Sequence, residues 1–315
     1  MTVSIIICTR NKADSLKLTV ESIGKAILPA EWDAELLIVD NGSTDSTETA
    51  AAAMALPGMP IRYVQEPRKG KGYAYNAGMA VARGRVFLFT DDGVRVPVDW
   101  IGGMCRPILD GKADAVAGGV AFPPDLAATL ARPPFSSLRD WFASTDGLDR
   151  NSPGMMVGAN MAFHRHVLDQ VPGFDVELGP GALGFYEGNL FSWQLLAAGY
   201  SIVGALDVVA EHHFDPARLT KEGLTDTGRK LGRSHAFVWY HWAHKKSRLV
   251  VPRLVLSLLR RYWVRCSNRI SGNAGCGISV SGLRVEAQLA FYREYIAQRR
   301  RRHKYTLRGL APQAK

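Results

Sequence analysis

Three short apolar runs in the first part of the chain end alike, each passing directly into polar and acidic side chains. Val3-Ser4-Ile5-Ile6-Ile7-Cys8 leads into Thr9-Arg10-Asn11. Leu36-Leu37-Ile38-Val39 leads into Asp40-Asn41-Gly42-Ser43-Thr44-Asp45, and Val86-Phe87-Leu88-Phe89 into Thr90-Asp91-Asp92-Gly93. Runs this short, rich in β-branched and aromatic residues, read as inner strands buried on both faces. Helix-compatible stretches follow each one; in the first, Leu16, Val20, Ile23 and Ile27 fall at helical spacing and are read as core contacts, with Asp14 as the helix cap. The order strand, helix, strand, helix, strand predicts an α/β fold with an at least partly parallel sheet. Its polar strand ends should then emerge side by side at the carboxyl edge, where open α/β sheets bind ligands.

Further along, residues 201–203 and 208–210 read as two late strands. The stretch 122–153, with Pro123, Pro124, Pro133 and Pro134, reads as a loop-rich excursion. After Pro216 the pattern turns helical. Leu224, Leu231, Val238 and Trp242 share a helical spacing, and Pro252 stands where a new helix could start, with Val255, Leu258 and Tyr262 on one stripe. Gly272, Gly275, Gly277 and Gly282 suggest a break before a final helix with Val285, Leu289, Tyr292 and Ile296 on one side. The organisation expected is an α/β domain over residues 1–216 and a helical extension over 217–315.

Composition sharpens this division. The chain has 315 residues, a hydrophobic content of 47% and a net charge of +10, enough for a substantial core. Residues 1–216 carry 17 Lys/Arg against 25 Asp/Glu, whereas residues 217–315 carry 22 against 4. An acidic body and a basic tail point to an anionic partner for the tail, or to solvated basic helix faces. No long uncharged apolar run predicts a spanning helix. The first strand begins almost at once, leaving no room for a signal peptide. Cys8, Cys105, Cys266 and Cys276 have no paired metal-ligand spacing, so a reducing, cytoplasmic home is expected.

Taken together, these motifs over about residues 2–215 resemble glycosyltransferase family 2. The resemblance implies the GT-A fold, a Rossmann-like, mixed and mostly parallel sheet flanked by helices. The segments carrying it are the opening strand with Thr9, Arg10 and Asn11, the strand end at Asp40, and Arg68-Lys69-Gly70-Lys71-Gly72-Tyr73-Ala74-Tyr75-Asn76-Ala77-Gly78. By resemblance Asp40 contacts the nucleobase, and Thr9, Arg10, Asn11, Lys71, Asn76 and Asp91 border the nucleotide. Carboxylates accept hydrogen bonds from base N–H groups, and Lys69 or Lys71 near a helix start could neutralise a diphosphate. Read alone, the Gly and Lys segment is equally a solvated loop.

Asp91 and Asp92 match the start of the family's metal motif, which implies Mg or Mn bridging the diphosphate. Gly93 stands where a further Asp is usual, which brings metal dependence into question. His212 and His213, at another strand end, are metal-ligand candidates of which only one should face the site, or else a structural hydrogen-bonded pair. Met156-Val157-Gly158-Ala159-Asn160 and Phe185-Tyr186-Glu187-Gly188-Asn189 look like the acceptor half. There the family has two consecutive acids, the second serving as base; here Gly188 takes that place and Glu187 is the surviving candidate.

The reaction implied is transfer of a sugar from a nucleotide-diphosphate donor to a glycan or lipid-linked acceptor hydroxyl, with inversion, in envelope or exopolysaccharide synthesis. A weakened or inactive sugar-nucleotide- or glycan-binding relative is the alternative that Gly93 and Gly188 open. Nucleotidyltransfer fits less well, because Thr9-Arg10-Asn11-Lys12 contains no glycine. The basic helices, with Arg260, Arg261, Arg265 and residues 299–302 among Tyr262, Trp263 and Tyr295, could lie on an anionic membrane surface at its inner face or pack on the acidic body. Nucleic acid is not expected, since no reader motif accompanies them.

Overall fold

The computed structural model describes residues 1–142, 144–145, 147–270 and 279–310. Gly272, Gly275, Gly277 and Cys276 lie outside the described residues, whereas Gly282 sits inside a helix. The chain divides into one unit of Met1–Pro123, Ala143–Ala182 and Glu187–His213, and a second of Pro124–Phe142, Leu183–Tyr186 and Phe214–Lys315. The second unit therefore includes two short segments from the half that the sequence reads as one α/β domain.

The first unit is built on an eight-stranded sheet. Its strands are β1 (Val3–Thr9), β2 (Ala34–Asp40), β3 (Ile61–Gln65), β4 (Val86–Asp91), β5 (Val94–Arg95), β6 (Ala115–Ala121), β7 (Asn160–His164) and β8 (Ile202–His212). They lie in the order β3-β2-β1-β4-β7-β6-β8-β5. The block β3-β2-β1-β4 is parallel, β7 runs antiparallel to both β4 and β6, and β6 pairs with β8 in parallel. In the parallel block Thr9 is level with Asp40, and Cys8 with Asp91. The three polar strand ends thus share one edge, as the sequence predicts, with Asp40 and Asp91 two strand spacings apart, about 10 Å.

Every residue of β1 and β2 is buried, as expected of parallel strands covered on both faces. Helices α1 (Ala13–Gly24), α2 (Thr47–Ala52), α3 (Lys71–Val81), α4 (Trp100–Leu109) and α6 (Glu187–Ala197) belong to this unit. Leu16, Val20 and Ile23 enter the core, but Ile27 lies past the end of α1 and is 66% exposed. Asp14 is not the cap of α1: it sits within the first turn, and Asp45 Oδ2 from the loop after β2 accepts from the Ala13 amide at 3.4 Å. The two late strands prove to be one, β8, with an irregularity opposite Gly118 and Gly119.

Buried polar groups in this unit are tied to specific partners. Asn160, with no exposure, accepts from Trp100 Nε1 and donates to the carbonyls of Gly119 and Val208, all at 2.8 Å. Glu35 accepts from the Ser4 hydroxyl, the Arg62 guanidinium and the Arg83 amide. Such satisfied networks fix strand register as much as the apolar contacts do.

The second unit contains α5 (Pro124–Leu130) and a 3-10 turn at Phe135–Trp141, both inside the stretch read as loop, followed by α7 (Lys221–His241), α8 (Val250–Ile270) and α9 (Val280–Gln298). Gly232 lets α7 approach α9 closely, because a Cβ there would stand 2.1 Å from the Ala287 carbonyl oxygen. Leu224, Val238, Trp242, Val285 and Leu289 are buried. Tyr295, expected among the membrane-facing aromatics, is instead buried beside Ala236 and Val250, with its hydroxyl donating to the Lys245 carbonyl. On α8, Tyr262 and Trp263 are 72% and 70% exposed.

Candidate active site

The carboxyl edge of the parallel block is organised by short-range clips. Asp40, 4% exposed, ends β2; one oxygen accepts from the Ser43 amide at 2.8 Å and the other from the Tyr63 hydroxyl. Burial and this carboxylate push the Tyr63 phenol well above its ordinary range, so it remains a donor. Asn41 was not singled out by sequence, yet it shapes the next wall: its amide donates to the carbonyls of Glu66 and Arg68 and accepts from the Gly70 amide. Asn11 takes a positive φ of 53° and accepts from the Thr44 amide at 2.7 Å, linking the loops after β1 and β2. Arg10 and Asn11 are exposed at this edge, and Thr9 is buried.

Gly70 adopts φ 139° at the start of α3, a region that favours glycine. The chain entering the helix here is crowded. A Cβ on Gly72 would stand 2.8 Å from the Asp175 carbonyl oxygen, and the Lys71 amide donates to the Pro180 carbonyl at 2.9 Å. Of the two lysines considered, Lys69 is exposed while Lys71 turns inward. Its Nζ lies 2.5 Å from Asp91 Oδ1 and 3.9 Å from Glu187 Oε1, over the Tyr75 ring. Asn76 directs its amide elsewhere: it donates to the Phe174 carbonyl and accepts from the Phe174 amide, both at 2.9 Å. It therefore holds the loop of residues 173–182 against α3.

Electrostatics at this edge follow from burial opposed by charge. Burial alone would raise Asp91, but Lys71, then His212, outweigh it and hold the carboxyl below its usual range. At Asp92 the same lysine pulls less strongly. Burial and the neighbouring Asp91 lift it to about 6, against a smaller pull from the Thr9 hydroxyl and the Arg10 amide. Glu187 opens α6 and is raised by burial and by Asp91, with Lys71 opposing. Lys71 stays a cation, because the carboxylates outweigh its desolvation.

The histidine pair divides as a strand end should. His213 Nε2 lies 2.6 Å from Glu211 and is spent on that acid, whereas His212 acts on Asp91 and stacks with Phe122. Among the described residues, no three acid, histidine or cysteine side chains stand together as a ready-made cation cage. Asp91 and Asp92 nonetheless suit Mg or Mn: they are adjacent hard oxygen donors, and Asp92 is held up by a neighbouring charge that a cation would offset.

The two glycines at expected acid positions sit in different surroundings. A Cβ on Gly93 would stand 2.4 Å from the His213 carbonyl oxygen, and the Gly93 carbonyl accepts from the His213 amide at 2.7 Å. The close pairing of β5 with the end of β8 thus leaves no room for a side chain at 93. At Gly188 a Cβ would meet the Met156 carbonyl oxygen at 3.2 Å and the Gly158 amide nitrogen at 3.7 Å. A side chain there would point at the 156–158 segment, while Glu187 is the acid of this helix start that faces Lys71 and Asp91.

Comparison with known proteins bears on family and fold. Glycosyltransferase AglE of Haloferax volcanii is 26% identical over 241 residues, covering 75% of this chain and 74% of that protein. Glucosyl-3-phosphoglycerate synthase of Mycolicibacterium smegmatis is 30% identical over 209 residues, covering 56% of this chain and 62% of the synthase. The chain thus spans about three quarters of the first relative and less than two thirds of the second. Mannosyltransferase PcManGT from Pyrobaculum calidifontis, solved with GDP-Man and Mn2+, has the same fold at a TM-score of 0.59 and 18% identity, covering 93% of this chain and 86% of that one. Residues 4–171, more than half of the chain, match the model for Glycosyl transferase family 2. A parallel block ending in Thr9, Asp40 and Asp91, continued by the antiparallel strand β7, is the GT-A sheet, and the chain belongs to glycosyl transferase family 2.

Proposed function

We propose that this transferase moves a sugar from a nucleoside-diphosphate donor to an acceptor hydroxyl with inversion at the anomeric carbon, and that Glu187 is its base. The observation that carries the reading is Glu187 at the start of α6, raised by burial and by Asp91, and 3.9 Å from Lys71. A carboxylate so raised is a better proton acceptor near neutral pH than an exposed one. Glu187 would take the hydroxyl proton as the acceptor oxygen bonds to the anomeric carbon. The bond from that carbon to the diphosphate oxygen breaks on the opposite face, and the nucleoside diphosphate leaves.

Asp40 retains lone pairs for the N–H groups of a base, and Thr9, Arg10 and Asn11 border the same edge. Lys71 is suited to meet the diphosphate, while Asn76 acts by holding the loop above it. Asp91 and Asp92, with His212 in preference to His213, would hold Mg or Mn. Such an ion neutralises charge on the leaving diphosphate. A mannosyltransferase neighbour contains GDP-Man and Mn2+, which supports a sugar nucleotide and a divalent ion here. For the acceptor we favour a glycan or lipid-linked hydroxyl of the envelope or of an exopolysaccharide, reached by a cytoplasmic enzyme resting on the inner face of the membrane.

The inactive alternative stands beside this reading, because glycine occupies both position 93 and position 188. A thermal-shift screen of uridine, guanosine and thymidine diphosphate sugars with Mn2+ identifies the donor, and Glu187→Gln then tests the base. Turnover should fall by about 10² to 10⁴ with donor binding retained. Equal turnover in the variant would overturn the assignment, and donor binding without turnover in the parent chain would establish the binding-protein reading.

A further inference from the structure

Most surface helices turn their apolar side inward; α8 turns much of it outward. Its packed stripe is narrow: Val250 and Ser257 are buried, and Leu254, Arg261 and Val264 are partly so. On the outer side Val251, Val255, Leu258, Leu259, Tyr262 and Trp263 are each between 40% and 72% exposed. Their spacing of i, i+4, i+7, i+8, i+11 and i+12 makes one continuous stripe along the helix. Scattered exposed apolar residues are ordinary, but a contiguous stripe marks a surface with a partner.

Charge identifies the partner. From Asp226 to Glu286 the intervening chain has twelve Lys/Arg and no Asp or Glu. Lys245, Lys246 and Arg248, just before the helix, and Arg253 and Arg260 on it, are all exposed. A second copy of the chain packed through α8 would bring these exposed cations against one another. An anionic lipid headgroup layer supplies the opposite sign, with hydrocarbon immediately beneath it. Tyr and Trp are the side chains that favour that boundary, and Tyr262 and Trp263 both stand in it. Among the described residues no helix is long and apolar enough to cross a membrane, so the geometry is that of a helix lying in the interface plane.

We propose that α8 is a lipid-docking element. It lies in an anionic bilayer surface with the stripe from residue 251 to residue 263 immersed, and with Lys245, Lys246, Arg248, Arg253 and Arg260 on lipid phosphates. This deepens the inner-membrane placement in the proposed function but rests on α8 alone, independent of donor, acceptor or turnover.

The test uses the full chain and vesicles of phosphatidylcholine, with and without phosphatidylglycerol. The chain should sediment with the anionic vesicles and not with the neutral ones, and less so as salt is raised. Lipids brominated in the acyl chain should quench part of the tryptophan fluorescence, and that part should vanish in Trp263→Phe. Joint replacement Leu258→Glu and Leu259→Glu, on exposed positions and checked by circular dichroism, should lower the partition coefficient at least about tenfold. Donor-nucleotide binding in solution should not change, which separates this surface from the transfer site. Equal binding to neutral vesicles, binding indifferent to the double replacement, or a self-association that the replacement abolishes while the parent ignores vesicles would each overturn the proposal.

Discussion

Replacing Lys71 by Met keeps the length of the side chain and removes the one charge that Asp91 and Glu187 share. The ammonium lies 2.5 Å from Asp91 and 3.9 Å from Glu187, with side-chain exposures of 13%, 20% and 13% for the three residues. Removing one partner of a buried pair costs about 3–5 kcal/mol, because the other charge is left desolvated and unmatched. Partial exposure of Asp91 and its ability to take up a proton put the expected loss near the lower limit, about 3 kcal/mol. Urea unfolding near neutral pH measures it directly. Asp91→Asn in the same background should restore most of that loss, giving a coupling of at least about 2 kcal/mol in the double-mutant cycle. Binding behaves differently: a charge-assisted contact to the diphosphate contributes about 1.5–3 kcal/mol, so the donor Kd should rise roughly 10- to 150-fold in Lys71→Met. Asp91→Asn should not repair it. A stability change under about 0.5 kcal/mol, or strictly additive single replacements, would refute the claim that Lys71 is the internal counter-ion of this edge.

Two further expectations concern the scaffold. Gly93→Ala places a methyl group against the His213 carbonyl, and should destabilise by about 1–3 kcal/mol through overpacking; an unchanged urea midpoint would show that the end of β8 yields freely. Glu35 is nearly inaccessible: burial would raise it, but the Ser4 hydroxyl, Arg62 and the Arg83 amide together hold it below the usual carboxylate range. Its contribution is therefore complete above the unfolded value of about 4.3 and is lost as pH falls through the lower folded value. Glu35→Gln should flatten the acid limb of the stability profile, and an unaltered slope below about pH 5 would contradict the assignment.

What could be read from the chain follows the locality of the code. Strand ends at Thr9, Asp40 and Asp91 were legible, because an inner strand declares itself by an apolar run and its exit by the first polar residues. The family resemblance added the GT-A sheet. Partner choice across the sheet was not legible: nothing near Lys71 in sequence says that it, and not Lys69, turns toward Asp91. Asn41 and Asn76 were equally opaque, since their hydrogen-bond partners at Arg68, Gly70 and Phe174 are set by tertiary approach. The placement of Asp14 and Ile27 failed for a related reason. The first amide of α1 is met by Asp45, thirty-two positions on from Ala13, and α1 stops before Ile27. On α8 the apolar stripe was visible as spacing, but only the fold reveals that Leu258 and Tyr262 face outward.

Gly93 has a bearing on the routes open to this chain under mutation. Because the carbonyl of residue 213 occupies the volume that any larger residue at 93 would claim, an aspartate there requires the strand end at 211–213 to shift. The two sites are thus epistatic through van der Waals exclusion, and a lineage bearing the tight turn is confined to two acids until that neighbour gives way.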